Sequence, residues 1–313
     1  MQKWKVLITA RSFAQSDPAP QTMLEEAGCY IYRPEPGEEL AKSIVDADGV
    51  IAGLENYTKD IISAAKHLKI ISRYGVGYDA IDLTATKEAN IAVAITPGAN
   101  SESVADLAFA LMLGAARHIP QMDSAIKAGG IARPLGLEMW QKTLGVIGMG
   151  RIGKGVVERA NGFRMRSLCF DIFKDEAFAK KYNAHYTDLD TLLSESDFIT
   201  IHVPLTAETR NMIDSTAFSK MKKTAVLVNT ARGGIIDEEA LFNALSEGKI
   251  ISCGLDVTAG ELTSNNPLYK LPNCILSPHA GAATYEAVLN MGTMAAKNLL
   301  DYLETGKCSN LVT

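Results

Sequence analysis

Clustered cysteine is missing from this 313-residue chain. Its five cysteines, Cys29, Cys169, Cys253, Cys274 and Cys308, are odd in number, scattered and never in a CxxC spacing. A disulfide framework or a thiolate zinc site needs clustering that is absent here. Cys169 and Cys253 fall inside apolar strand-like runs, where cysteine serves as a small hydrophobe. The five histidines, at 67, 118, 185, 202 and 279, show no HExxH or other paired spacing, so no metal site is expected. Cationic excess is lacking too: 31 Lys and Arg face 36 Asp and Glu, a formal charge of −5 with a pI of about 5.6. That balance leaves no field for phosphate backbones and argues against nucleic acid as a partner. The longest apolar run, Leu107–Ala116, is too short to cross a bilayer. The start, Met1-Gln2-Lys3-Trp4-Lys5, offers no signal-peptide core. The expectation is a cytoplasmic protein without a membrane partner.

What is present is a globular balance of 47% hydrophobic and 21% charged residues, long enough for two domains. Short β-rich runs alternate with helical patterns, the signature of an α/β protein with parallel sheets. The first half gives strands at Val6–Thr9, Tyr30–Tyr32, Val50–Ala52, Leu68–Ser72 and Ile91–Ile95, with helices near 20–27, 38–46, 59–66 and 81–89. Thr96-Pro97-Gly98 punctuates the chain, and Ser101–Lys127 continues apolar at helical spacing. A second series of strands follows at Thr143–Ile147, Ser167–Phe170, Phe198–Val203, Ala225–Asn229, Ile251–Asp256 and Cys274–Leu276. Its helices are expected at 151–162, 188–194, 215–221, 237–247 and 284–304. No tandem repeat occurs, so this is no solenoid.

The first chemical signal is Gly148-Met149-Gly150-Arg151-Ile152-Gly153, preceded by the apolar strand Thr143–Ile147 and followed by a helical pattern. A GxGxxG alone is weak; strand, loop and helix in this order make it a dinucleotide fingerprint. Gly148 permits the tight turn, Gly150 lets a pyrophosphate approach the backbone, and Gly153 lets helix and strand pack closely. The helix N-terminus supplies orphan N–H groups to the phosphates. Asp171 closes the next strand, where a carboxylate accepts bonds from a ribose diol and repels a 2′-phosphate. Ile172 and Phe173 follow it with no adjacent Arg, and Lys174 is expected to point to solvent, so NAD is the expected cofactor.

Three later loops carry polar residues at strand ends, where open α/β sheets bind ligands. Arg232 stands between Ala231 and the Gly233-Gly234 pair, and an Arg fork suits a small carboxylate. Glu261 follows the strand that ends at Asp256. His279 sits between Pro278 and a small-residue helix entrance. A glutamate beside an imidazole favours its protonated form and fixes its orientation, as a general acid/base near neutral pH requires.

At these residues the chain resembles the D-2-hydroxyacid dehydrogenase family, and within it the D-3-phosphoglycerate dehydrogenase branch. The resemblance spans essentially the whole sequence through Tyr74–Asp79, Thr96–Asn100, Thr143–Gly153, His202–Leu205, Asn229–Asp237, Gly254–Val257 and Ser277–Thr284. It implies a Rossmann NAD-binding domain, residues 98–284, inserted in a flavodoxin-like substrate domain, residues 1–97 plus 285–313. It also implies a homodimer and a small 2-hydroxy or 2-oxo acid as substrate. Arg232 would bind the substrate carboxylate and carbonyl oxygen, and His279 would pass the proton with Glu261 as its partner. Val76 and Gly77 would present backbone N–H groups to the carboxylate, with Asn100 nearby in the substrate set. Asp256 would hold the nicotinamide carboxamide. His202, Val203, Pro204, Thr230, Ala231 and Gly281 would complete a cofactor site begun by Gly148, Gly150, Arg151, Ile152, Gly153 and Asp171.

The chain also departs from the family. Asp-Val-Phe-Glu-x-Glu-Pro is replaced by Asp256-Val257-Thr258-Ala259-Gly260-Glu261-Leu262, which keeps only the last acid. The Arg-Ser pair of the phosphoglycerate branch after the third strand is replaced by Ala52-Gly53-Leu54-Glu55-Asn56. The expectation is a short form of the family without an appended regulatory domain. The expected reaction is oxidation of 3-phosphoglycerate to 3-phosphohydroxypyruvate, with Arg73 and Arg133 as candidate phosphate ligands. A hydroxypyruvate or glyoxylate reductase is the sibling alternative, and an NAD(H)-sensing corepressor-like protein the alternative of another class.

Overall fold

A computed structural model describes residues 3–260 and 265–312, and the chain divides into two compact units. Residues 1–100 and 282–313 form the first, residues 101–281 the second.

The first unit is a five-stranded parallel sheet of β1 (Trp4–Ile8), β2 (Cys29–Tyr32), β3 (Gly49–Ala52), β4 (Ile70–Arg73) and β5 (Ala92–Ala94) in the order β2-β1-β3-β4-β5. This is the flavodoxin-like order, whose switch point lies between β1 and β3. Helices α1 (Ala19–Glu26), α2 (Leu40–Ser43), α3 (Lys59–Ala64) and α4 (Leu83–Glu88) lie between the strands. Strand side chains alternate between two apolar layers. Val6, Ile8, Ile51 and Ile70 pack in one with Leu24, Met291 and Leu299; Leu7, Val50 and Ile71 pack in the other with Ile44, Ile62 and Ala85. Burial on both faces explains why these strands read as continuous apolar runs. The first layer is closed by the last helix, Tyr285–Thr305. It is pinned by Ser72 Oγ donating to Ala295 O (2.8 Å), Tyr74 Oη to Val288 O (3.0 Å) and Asn298 Nδ2 to Ile95 O (2.8 Å).

The second unit is a seven-stranded parallel sheet of β6 (Thr143–Ile147), β7 (Arg166–Phe170), β8 (Ala184–Tyr186), β9 (Phe198–Ile201), β10 (Val226–Asn229), β11 (Ser252–Leu255) and β12 (Cys274–Leu276). Its order, β12-β11-β10-β9-β6-β7-β8, is the dinucleotide-binding order with one strand added at the edge, and its switch point lies between β6 and β9. On one face lie α5 (Ser101–Arg117) and α7 (Arg151–Gly162), which pack Ala108, Met112 and Val156 onto Leu144, Val146 and Val228; α6 (Ile119–Lys127) and α8 (Glu176–Lys181) complete the helices before β8. On the other lie α9 (Leu189–Glu195), α10 (Ser215–Lys220) and α11 (Glu238–Ser246), which pack Leu192, Phe218 and Leu241 onto Ile147, Ile199 and Leu227.

The helix starts follow capping chemistry. Asp82, Asp175, Asp188, Asp214, Asp237 and Thr284 each accept a first-turn N–H through the side chain. Two features depart from the sequence reading. The expected continuous helix over Ser101–Lys127 is two helices, broken at His118, which takes the left-handed conformation (φ 55°) just ahead of Pro120. Strand β8 and helix α8 are additional; at three and six residues they are too short to show a period.

Candidate active site

The glycine loop lies at the switch point of the second unit. Gly148 follows β6 with φ +98°, and a Cβ there would come within 2.7 Å of the His202 carbonyl carbon. A Cβ on Gly153 would reach 2.0 Å from Gly148 O, whereas one on Gly150 would meet nothing within 4 Å. Two glycines therefore close the turn and the third leaves open space at the N-cap of α7. Arg151 is exposed and Ile152 half-buried in its first turn. The Asp171 carboxylate accepts the Met149 N–H through Oδ2 and the Phe173 N–H (2.8 Å) through Oδ1. It is thus fixed across the loop with lone pairs left for a diol. Lys174 is exposed, as the sequence reading expects, with its ammonium 5.8 Å from the centroid of the Tyr186 ring. Ile172 and Phe173, 84% and 80% exposed, offer apolar surface beside Asp171. These residues fit a dinucleotide with an unmodified adenosine ribose.

His202 ends β9 on the far side of the switch point. Its ring contacts Thr200 Oγ1 at 2.9 Å and Thr230 Oγ1 at 3.5 Å. Burial pushes its pKa down to about 3, so the imidazole is neutral and no proton donor at neutral pH. Val203 is half-buried and Pro204 exposed beyond it; Thr230 is buried and Ala231 half-buried after β10.

Strands β10, β11 and β12 are neighbours, and their carboxyl ends carry the expected chemistry. Arg232 sits on a turn bracketed by one buried residue: Asn229 Oδ1 accepts the Ala231 N–H (2.9 Å) and Asn229 Nδ2 donates to Arg232 O (2.8 Å). Sequence reasoning missed that role of Asn229, although the residue opens the motif. A Cβ on Gly233 would lie 2.3 Å from Thr258 O, so only glycine lets this turn pack against the loop after β11. Glu261, the expected histidine partner, lies outside the described residues.

Asp256 proves to be committed to the loop after β12. It is 2% exposed, and its carboxylate accepts Ser277 Oγ–H (2.6 Å), Ala280 N–H (2.7 Å) and Gly281 N–H (2.8 Å). Its carbonyl accepts the His279 N–H at 3.0 Å. Four bonds thus surround His279, whose φ of 53° is a left-handed conformation rare for a residue with a Cβ. The sequence reading gave this carboxylate to the nicotinamide amide; the geometry makes it first a brace for the histidine.

In the first unit, Arg73 ends β4 and turns back onto its own loop. Nε donates to Gly77 O (2.9 Å), and Nη1 donates to Ala52 O (3.4 Å) and to Tyr74 O. Among the described residues neither Val76 N–H nor Gly77 N–H has a partner within the chain, so both donors remain available to an anion. Asn100 Oδ1 is buried without a partner. Arg133, in the second unit, is exposed.

Comparison with known proteins agrees with these features. The family described as "D-isomer specific 2-hydroxyacid dehydrogenase, NAD binding domain" matches residues 109–281. A hydroxypyruvate reductase from Thermotoga maritima is 44% identical over 261 residues, covering 82% of this chain and 84% of its own. A D-3-phosphoglycerate dehydrogenase from Methanocaldococcus jannaschii is 44% identical over 279 residues, 88% of this chain but 53% of its own, so this chain spans about half of that relative's length. The solved structure of a glyoxylate reductase from Paecilomyes thermophila aligns with a TM-score of 0.86 and 34% identity, covering 100% of this chain and 99% of its own.

Two outcomes follow. Asp171→Ala should lower kcat/KM with NAD by about ten- to a hundredfold, the worth of charge-assisted bonds, and change NADP efficiency little. Equal use of both cofactors by the wild type would contradict the site. The second concerns His202. The unfolded chain binds its proton below about pH 6.5 and the folded chain only near pH 3, so wild-type stability falls as pH drops through that window. Melting curves of His202→Gln should show a shallower loss between neutral and acidic pH, with the acid limb of kcat unmoved.

Proposed function

Because the chain belongs to the D-isomer-specific 2-hydroxyacid dehydrogenase family, we propose that it reduces short, unphosphorylated 2-oxo acids of the hydroxypyruvate and glyoxylate class. At family level it is an NAD-dependent oxidoreductase acting on the CH–OH group of a D-2-hydroxy acid. The unit of residues 101–281 serves as the NAD domain and contains the matched span; the other unit serves as the substrate domain.

A dinucleotide held at Gly150 and Asp171 would supply the hydride for C2 of the 2-oxo acid. Arg232 pairs the substrate carboxylate and polarises the C2 carbonyl, with its backbone held by the Asn229 bracket and Nη1 donating to Ala231 O (2.6 Å). Val76 and Gly77 add N–H donors to the carboxylate. His279 delivers the proton to the developing alkoxide, oriented by the Asp256 brace, with Glu261 as its partner.

One observation carries the choice of an unphosphorylated substrate. Arg73, the best-placed cation for a substrate phosphate, gives its guanidinium to three backbone carbonyls of its own neighbourhood. A second reading, 3-phosphohydroxypyruvate reduction, is favoured by the name of the archaeal relative. Loss of NADH with a substrate panel decides between them. Hydroxypyruvate or glyoxylate should exceed phosphohydroxypyruvate in kcat/KM, and a tenfold advantage for the phosphorylated acid would install the second reading. His279→Ala should lower kcat by about 10²–10⁴ while NADH still binds, and Arg232→Ala should harm both KM and kcat.

The family resemblance and the exposed surface together support a homodimer formed through the NAD domain. Ile126, Ile131 and Leu135 are 68%, 82% and 95% exposed on α6 and the segment after it, apolar side chains that a second copy could cover. Ile131→Glu combined with Leu135→Glu should convert a dimer to a monomer in sedimentation experiments; a monomeric wild type would refute the assignment. Five free cysteines suit a reducing cytoplasm.

A further inference from the structure

The loop after β3, residues 52–57, stands at the switch point of the first unit, where the strand order turns from β1 to β3 and open sheets take ligands. Glu55 is folded back over this loop. Its carboxylate oxygens lie 2.7 and 3.1 Å from where a Cβ on Gly53 would stand, an approach that only glycine permits. Oε2 has almost no solvent-accessible surface and no hydrogen-bond partner.

The groups around it are already satisfied by one another. Thr9 Oγ1 accepts the Gly53 N–H (2.9 Å) and is bonded to Tyr57 Oη (3.0 Å). The nearby guanidinium of Arg73 is spent on the carbonyls of Ala52, Tyr74 and Gly77. Arg73 Nη1 reaches Ala52 O and the Glu55 carboxylate folds over Gly53, so both side chains meet the chain at the carboxyl end of β3. Two more oxygens near this carboxyl edge, Thr96 Oγ1 and Asn100 Oδ1 after β5, are likewise buried without partners. Buried oxygens without donors are costly, and a ligand that brings donors removes the cost.

We propose that Glu55 is the specificity determinant for the substrate tail, accepting a hydrogen bond from a hydroxyl on C3 of the 2-oxo acid and rejecting a tail that ends in a second anion. This rests on the reading that the chain reduces 2-oxo acids. The substrate already brings one carboxylate, which the Val76 and Gly77 N–H groups can take. A phosphate at its other end would meet the Glu55 carboxylate with little water between them, where like charges repel strongly. A hydroxyl instead donates to it in a charge-assisted bond.

The test compares kcat/KM for hydroxypyruvate, for 2-oxobutyrate, which replaces the hydroxyl by a methyl, and for phosphohydroxypyruvate. Wild type should favour hydroxypyruvate over both by about ten- to a hundredfold. Glu55→Ala should erase most of the preference over 2-oxobutyrate. Glu55→Gln should raise phosphohydroxypyruvate efficiency at least tenfold while hydroxypyruvate efficiency falls severalfold. Merely structural damage would move both substrates in the same direction, and unchanged NADH affinity would show that the variants are folded. Substrate ratios that stay at wild-type values in both variants, with turnover intact, overturn the role of Glu55 alone. Absence of turnover with every 2-oxo acid in the wild type overturns the underlying reading as well.

Discussion

The carboxylate of Asp256 is the point on which the carboxyl edge of the second sheet depends. It ends one strand and holds, through three donors, the loop that follows the neighbouring strand. A carboxyl group buried at 2% exposure is tolerable only because each donor is close and fixed. The return is positional: His279 is held in a backbone conformation it would not adopt alone, at the end of β12, with β11 between it and the strand that leads to Arg232. In the general-acid role proposed for His279, such rigidity would bear on rate, because a general acid must sit within hydrogen-bond reach of the group it protonates.

Close backbone approaches recur around this brace. The turn bearing Arg232 leans on the loop after β11 through Gly233, and the pyrophosphate turn leans on the His202 carbonyl through Gly148. In both cases a missing side chain lets two loops at the sheet's carboxyl edge touch. His202 shows the same economy from the other side. Enclosed between two threonines and held neutral, it is a histidine whose surroundings have removed the chemistry its residue type suggests.

Residue type and spacing made much of this legible. Strand–GxGxxG–helix with Asp171 at the next strand end is a local pattern, and its physics needs no knowledge of distant residues. Most strands were readable because both sheet faces are buried and the runs are continuously apolar. What stayed hidden depends on rotamers and on tertiary neighbours. No spacing reveals that the Asp256 carboxylate turns toward Ser277 and Gly281, or that Arg73 curls onto Gly77. Likewise, Glu55 in the sequence was only a departure from an expected Arg-Ser pair; its unpartnered oxygen becomes visible once the loop is folded. The break at His118 was missed because the apolar period runs on through it while the backbone does not.

The helix Tyr285–Thr305 also bears on the order in which the chain becomes stable during synthesis. It covers the layer of Val6, Ile8, Ile51 and Ile70, residues made long before it. At typical elongation rates, roughly 10–40 s separate residue 100 from residue 285 on the ribosome. Throughout that interval the second unit, contiguous in sequence, emerges and can fold, while one face of the first sheet waits uncovered. A nascent chain in this state presents an apolar surface of the kind chaperones hold. The earliest residues translated are thus among the last to be secured.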